Sequence, residues 1–321
     1  MSKMLAKHLC RATTNSCSKI LFFIFCIIFT CVLPSVSFAE FSGSGTNENP
    51  YIISSAEDIK QLAFVLGNSK EANLPFFGTK YYRIVKDIDL KNEDFAPIAN
   101  FRGYLDGGGH TIKNLNIVSN SSCDSHYGLF GNLASAEIKN LCVTGNVIVS
   151  SNQTDNYKKI IAGGIAGSAK DRTRIINCEF RGTVQSKILS VPNKSAMAGG
   201  IVGEINGSID GCMFCGKVVS ESGNQNNGAG SFAGGIAGLI ENNERSCCIK
   251  NCVSQAEVSA NGSTSNIAGG IVGQSNIADN SRFYGNLYAK SETVAHGIGN
   301  VIFFNGVENQ HNDTGCSVIN K

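Results

Sequence analysis

The 321-residue chain has no tryptophan, and only 16% of its residues are charged. Its 27 Lys and Arg nearly balance 25 Asp and Glu, and no long run of like charge occurs. Such a chain has no electrostatic footprint for nucleic acid and no acidic or basic tail. Histidine is scarce and scattered, with five in all. No His-Glu-x-x-His zinc motif is present, and no Ser-His-Asp or Cys-His arrangement follows from spacing. Beyond residue 33 there is no second long apolar run, so no transmembrane span is expected after the leader. Helix-favouring charged residues are sparse, while Gly, Asn, Val and Ile recur in short stretches. That composition suits many short strands joined by turns.

The first forty residues have the layout of a targeting signal. Lys3, Lys7, Arg11 and Lys19 form a positive region with no acidic partner. Ile20 to Leu33 is apolar apart from Thr30, Pro34 breaks it, and Ser37-Phe38-Ala39 supplies a small-residue cleavage site. The apolar stretch is short for a bilayer core, which needs about 20 residues. A cleavable signal peptide is therefore expected at 1–39, with the mature chain starting near Glu40. Loss of four basic residues leaves 23 against 25 acidic ones. Nine cysteines remain after the leader, an odd number that leaves at least one thiol free or paired between chains.

The mature sequence repeats. Ala162-Gly163-Gly164-Ile165-Ala166-Gly167 returns as Ala198-Gly199-Gly200-Ile201-Val202-Gly203. It returns again as Ala233-Gly234-Gly235-Ile236-Ala237-Gly238 and as Ala268-Gly269-Gly270-Ile271-Val272-Gly273, and Gly128-Leu129-Phe130-Gly131 is an earlier variant. Gly128, Gly164, Gly200, Gly235 and Gly270 are spaced by 36, 36, 35 and 35 residues. A second ladder runs in phase. Ile112-Lys113-Asn114-Leu115, Ile138-Lys139-Asn140-Leu141, Ile176-Asn177-Cys178, Ile209-Asp210-Gly211-Cys212 and Ile249-Lys250-Asn251-Cys252 open strands. A small residue and a Val follow, as in Gly182 and Val184. The last copy, around Phe283 to Leu287, departs from the pattern.

Each repeat reads as a short strand, a turn, a second strand and a polar loop. One repeat cannot bury its apolar side alone, whereas stacked repeats share a core and form residue ladders about 4.8 Å apart. Parallel crossovers are overwhelmingly right-handed. The expected fold is all-β: a right-handed parallel β-helix, or β-solenoid. A helical solenoid is disfavoured because interior glycine costs a helix roughly 1 kcal/mol. Ser55 to Asp58 reads as a capping box, followed by Ile59, Leu62, Ala63 and Leu66 at helical spacing. A short N-terminal helix is thus expected to cap the open first coil. The resulting division is 1–39 signal peptide, 40–110 cap and first coil, 111–300 repeats, and 301–321 last strand with a polar tail. Variable segments at 150–159, 185–196, 220–231 and 260–266 share one phase of the repeat. They form a polar loop face, the expected site for any glycan or matrix-protein partner.

The glycine motifs, the Ile-x-Asn-Cys strand starts and the lead-in from Gly43-Ser44-Gly45-Thr46 through Asn49-Pro50-Tyr51 resemble the GLUG-motif repeat family of bacterial secreted and surface proteins. The resemblance covers most of the mature chain. It implies an adhesin-like or structural role at the cell surface, sometimes beside an IgA-peptidase-type domain. With no zinc motif, peptidase activity is not carried over.

No catalytic, cofactor or metal residues are assigned. Gly163-Gly164-x-x-Gly167 is not read as a nucleotide loop, since that needs a βαβ unit and a downstream acid. Cys178, Cys212 and Cys252 share a slot with Leu141, which makes them a buried thiol ladder. Cys212-x-x-Cys215 is no zinc site, because an offset of three on a strand points the thiols to opposite faces. The glycines at 128, 131, 164, 167, 200, 203, 235, 238, 270 and 273 are structural. The recurring asparagines are expected to stack as an amide ladder. The rival reading is a carbohydrate-active β-helix enzyme, with Asp87, Arg102 and Asp106 converging in one pocket. A third is a remnant of a larger adhesin.

Overall fold

A computed structural model describes residues 41–67, 79–120, 125–151, 159–188, 195–222, 230–241, 248–261, 265–277, 282–284, 287–290, 300–303 and 316–319. The expected signal peptide and most of the variable loops lie outside them. Residues 41–321 form one compact unit.

That unit is a parallel β-solenoid with four strands per coil, not two. One complete coil runs through Glu179–Ile188, Ser195–Gly199, Val202–Ile205 and Ser208–Asp210. We number the sheets containing these strands 1 to 4 in that order; they hold eight, five, six and eight strands. Every strand pairs in parallel with its copies in adjacent coils. The glycine motif supplies two strands, with a bend between them. From Ile138 onward the Ile-x-Asn segment supplies the three-residue strand of sheet 4 and the turn into sheet 1. The degenerate last copy still pairs, with Phe283 opposite Ile249.

Register shows how the repeat builds the core. Ile138, Ile175, Ile209 and Ile249 stack along sheet 4, and Val147, Val184, Val218 and Val258 along sheet 1. All are buried in one continuous cluster. Burying each such side chain contributes roughly 1.5–3 kcal/mol. Phe180 and Phe214 lie parallel with centroids 6.1 Å apart.

Helix α1, Ala56–Gly67, forms where the capping box indicates. Ser55 Oγ accepts from the Asp58 amide at 3.2 Å, while Asp58 Oδ2 accepts from the Ser54 amide at 2.7 Å. Ile59, Leu62, Ala63 and Leu66 face inward and join the main core. Among the described residues no helix is long and apolar enough to cross a membrane.

Asn140, Asn177 and Asn251 sit just before sheet 1, whereas Asn114 lies inside its strand Thr111–Asn120, at a register shift. The upstream copy is thus out of phase, with Ile112 opposite Val143 and Leu105 opposite Ile138. Asn114, Asn140, Asn177 and Asn251 have φ of 59°, 54°, 49° and 54°, and Gly211 takes the same slot at 65°. This is left-handed backbone, which Asn and Gly tolerate best. The expected amide-on-amide ladder does not form at three of the four asparagines. Asn114, Asn140 and Asn251 instead donate to Asp89, Asp106 and Asp210 at 2.8, 3.1 and 3.0 Å.

Candidate functional sites on the solenoid walls

The residues singled out in the repeats build the walls. Gly164, Gly200 and Gly235 occupy the bend between sheets 2 and 3, outside the strands themselves. A Cβ at Gly200 would meet the Gly235 carbonyl at 2.1 Å and Phe214 Cγ at 2.3 Å. Gly203, one strand on, faces sheet 2, where a Cβ would meet Ile161 Cγ2 at 2.4 Å. Gly128 aligns with the bend row, and Gly131, Gly167, Gly238 and Gly273 with the facing row. The same spacing puts Gly270 at the bend of the next coil.

Cys178, Cys212 and Cys252 are at most 1% exposed, in the slot of buried Leu141. Burial pushes the Cys212 thiol far above its ordinary pKa, helped by its neighbours Cys178 and Cys252. Cys215 lies outside this core row and is half-buried. Among the described residues no cluster of three metal-ligating side chains occurs.

Asp87 and Asp106 enter separate hydrogen-bond sets. Asp106 accepts from the Gly108 amide at 3.0 Å, which makes it a turn-former. Asp87 accepts from the Thr111 amide at 3.0 Å and from Lys113 Nζ at 2.7 Å, and His110 Nδ1 lies 3.7 Å away. The Lys113 ammonium, then the Thr111 amide, hold the Asp87 pKa below its ordinary value. Arg102 does not line the recess that Asp106 borders.

That recess, of about 310 Å³, opens on the outer face of sheet 4. Tyr81–Ile84, Tyr104–Asp106 and Glu137–Lys139 are neighbouring strands there, so alternate side chains form two outward rows. One row carries Tyr81, Tyr104 and Glu137; the other carries Arg83, Asp106 and Lys139. The tyrosine rings stack at 4.4 Å with planes 9° apart, and Tyr104 is 41% exposed. Glu137 accepts from Arg174 at 2.9 Å. Asn47 and Pro50 close one end. Sequence reading missed this site because these first coils precede the glycine motif. Tyr81 and Tyr104 were the available signal.

A second feature lies where sheets 2 and 3 fold towards each other. Ile161, Met197, Phe232 and Leu239 form a small apolar cluster of their own. Beside it Glu204 is 1% exposed. Lys159 Nζ lies 3.1 Å from Glu204 Oε1 and 2.5 Å from Glu241 Oε1. Lys170 approaches both carboxyls, at 3.6 and 3.7 Å, and His126 lies 3.9 Å from Glu204. Burial, then the hydrogen bond with Glu241, pushes the Glu204 pKa up to about 7. That same hydrogen bond, with Lys159 and Lys170, holds Glu241 down to about 2. Glu204 stands in the otherwise apolar run Val202-Gly203-Glu204-Ile205, a signal the sequence carried.

These coils and walls define a repeat protein of the parallel β-solenoid class. No protein-family model matches the chain. Halomucin of Haloquadratum walsbyi is 33% identical over 151 residues, 42% of this chain and 2% of halomucin. A protein of Evansella cellulosilytica described as a Gly-rich membrane protein is 30% identical over 140 residues, 38% of this chain and 15% of its own. The chain thus spans only a small part of both relatives. Among solved structures, a Bacteroides ovatus protein described as an immunoglobulin A1 protease aligns at TM-score 0.47 and 22% identity. That alignment covers 81% of this chain and 79% of the other.

Proposed function

We propose that this is a secreted or cell-surface repeat protein of the GLUG type, with a non-enzymatic role in adhesion or surface structure. The observation that carries the reading is the uninterrupted ladder of parallel strands through all four sheets. Such a stack is a rigid display scaffold, with repeat faces that serve as extended binding surfaces. The likeness to short stretches of halomucin and of a protein described as a Gly-rich membrane protein supports the surface reading. Cell fractionation with surface labelling, followed by a glycan and matrix-protein binding screen of the mature chain, tests it. Labelling confined to the cytosol would sink the surface role.

The runner-up is a carbohydrate-active enzyme, favoured by one observation. Glu204 and Glu241 are paired carboxyls with pKa values driven apart, the arrangement that separates acid from base. Against it, Glu204 is buried and the two carboxyls share a hydrogen bond. Glycosidase pairs stand about 5–9.5 Å apart with substrate between them. Release of reducing ends from a polysaccharide panel, abolished by Glu204→Gln, would install this reading instead.

A further inference from the structure

We propose that the recess on sheet 4 binds a neutral saccharide of one or two sugar rings. The inference deepens the binding reading above and rests on it for its biological setting, but the site stands on its own geometry.

The volume fits first. About 310 Å³ is at the small end of the range for small-ligand sites, roughly 300–1,000 Å³. A protein partner would need about 800 Å² of buried surface on each side, far more than one recess offers. The lining is mixed in a way a sugar matches. Tyr81 and Tyr104 cover one face of each other, so the pair offers a pyranose its ring edges and an outer ring face as apolar surface, and the phenolic hydroxyls both donate and accept. Arg83 and Lys139 donate, while Asp106 and Glu137 accept. Vicinal hydroxyls satisfy both kinds of group at once.

Charge decides between sugar classes. Two cations, Arg83 and Lys139, face two carboxylates, Asp106 and Glu137, so the lining has no net charge to reward an anion. Lys139 lies 3.8 Å from Glu137, which Arg174 also holds. Asp106 lies close enough to Lys139 and Arg83 to feel both. A uronic or sulfated sugar would meet these carboxylates and gain nothing overall, whereas a neutral one needs no countercharge.

Rigidity favours the site further. Its side chains stand on parallel strands whose inner neighbours, Tyr82 and Leu105, are buried in the main core. Little ordering entropy is therefore lost on binding.

The test is calorimetric titration of the full chain with neutral oligosaccharides (gluco-, manno-, xylo- and N-acetylglucosamine series) beside oligogalacturonate. At least one neutral series should bind. Tyr104→Ala should weaken it by about tenfold, the loss of one aromatic contact, and Tyr104→Phe should recover most of it. Arg83→Ala should weaken it while leaving the melting temperature unchanged, since Arg83 is exposed. Binding of oligogalacturonate alone overturns the neutral class and leaves the surface-binding role standing. Binding of a neutral series that ignores Tyr104→Ala and Arg83→Ala overturns the site. If no saccharide binds while the chain still adheres to cells or matrix, the inference falls and the proposed function survives.

Discussion

At the residue scale the repeat is a set of backbone demands met by particular side chains. Asn177 holds φ at 49°, and the next coil meets the same demand with Gly211 at 65°. Left-handed backbone costs an ordinary residue roughly 1–2 kcal/mol. Asn177→Gly should therefore leave the urea midpoint close to the parent, while Asn177→Val should lower stability by about that amount or more. Equal midpoints for both variants would refute the slot. The thiols offer a second check. Cys178, Cys212 and Cys252 should resist alkylation in the folded protein and react on unfolding, whereas half-buried Cys142 and Cys215 should label before them. Mass spectrometry of native and denatured samples reads this directly. The Asn-Cys pattern was legible in the sequence, but its meaning was partly hidden. Recurrence marks a constraint without saying whether it is an amide ladder or a positive φ with an Asp acceptor in the coil before.

At the element scale, some strands were legible and others were not. Glu179–Ile188 is ten residues long and alternates over much of its length, whereas Ser208–Asp210 has three residues, too few for an alternation to stand out in the sequence. The glycine motif concealed two strands because its bend takes only two residues. Helix α1 was legible from its cap and spacing. Asp58→Ala removes an acceptor for Ser54 and should cost about 1 kcal/mol, measured as a shift in the denaturation midpoint.

The crease of sheets 2 and 3 leads to a pH prediction. Glu204, raised to about 7, contributes stability fully below its unfolded value of 4.5 and loses it as pH rises through 7. Glu241, lowered to about 2, contributes above 4.5 and loses it as pH falls towards 2. The pair's contribution therefore peaks near pH 4.5, where the folded pair keeps the one proton they share. Lys159, Lys170 and His126 are the basic groups that face these carboxyls. Glu204→Gln should flatten the decline in melting temperature between pH 4.5 and 7. An unchanged slope would show that another group governs it.

At the scale of the whole molecule, stability is a sum of coils and of the interfaces between them. The bend glycines are where those interfaces come closest. Gly200 has a carbonyl of the next coil 2.1 Å from where its Cβ would stand and the Phe214 ring at 2.3 Å. Neither is the far end of a flexible side chain, so a larger residue must push two coils apart. Overpacking of this kind costs typically 1–3 kcal/mol. In a chain of this size each kcal/mol lowers the melting temperature by roughly 2–4 °C. Gly200→Leu should therefore melt several degrees below the parent. Gly67, at the end of helix α1, has nothing within 4 Å of its Cβ position, so Gly67→Ala should melt with the parent. Deleting Asn224 to Asn227, a polar stretch of sequence outside the described residues, should also leave the melt nearly unchanged, because polar segments of variable length tolerate such changes. If the loop deletion unfolds the protein and Gly200→Leu does not, core and surface are inverted. The coil register would then have to be redrawn with the variable segments inside.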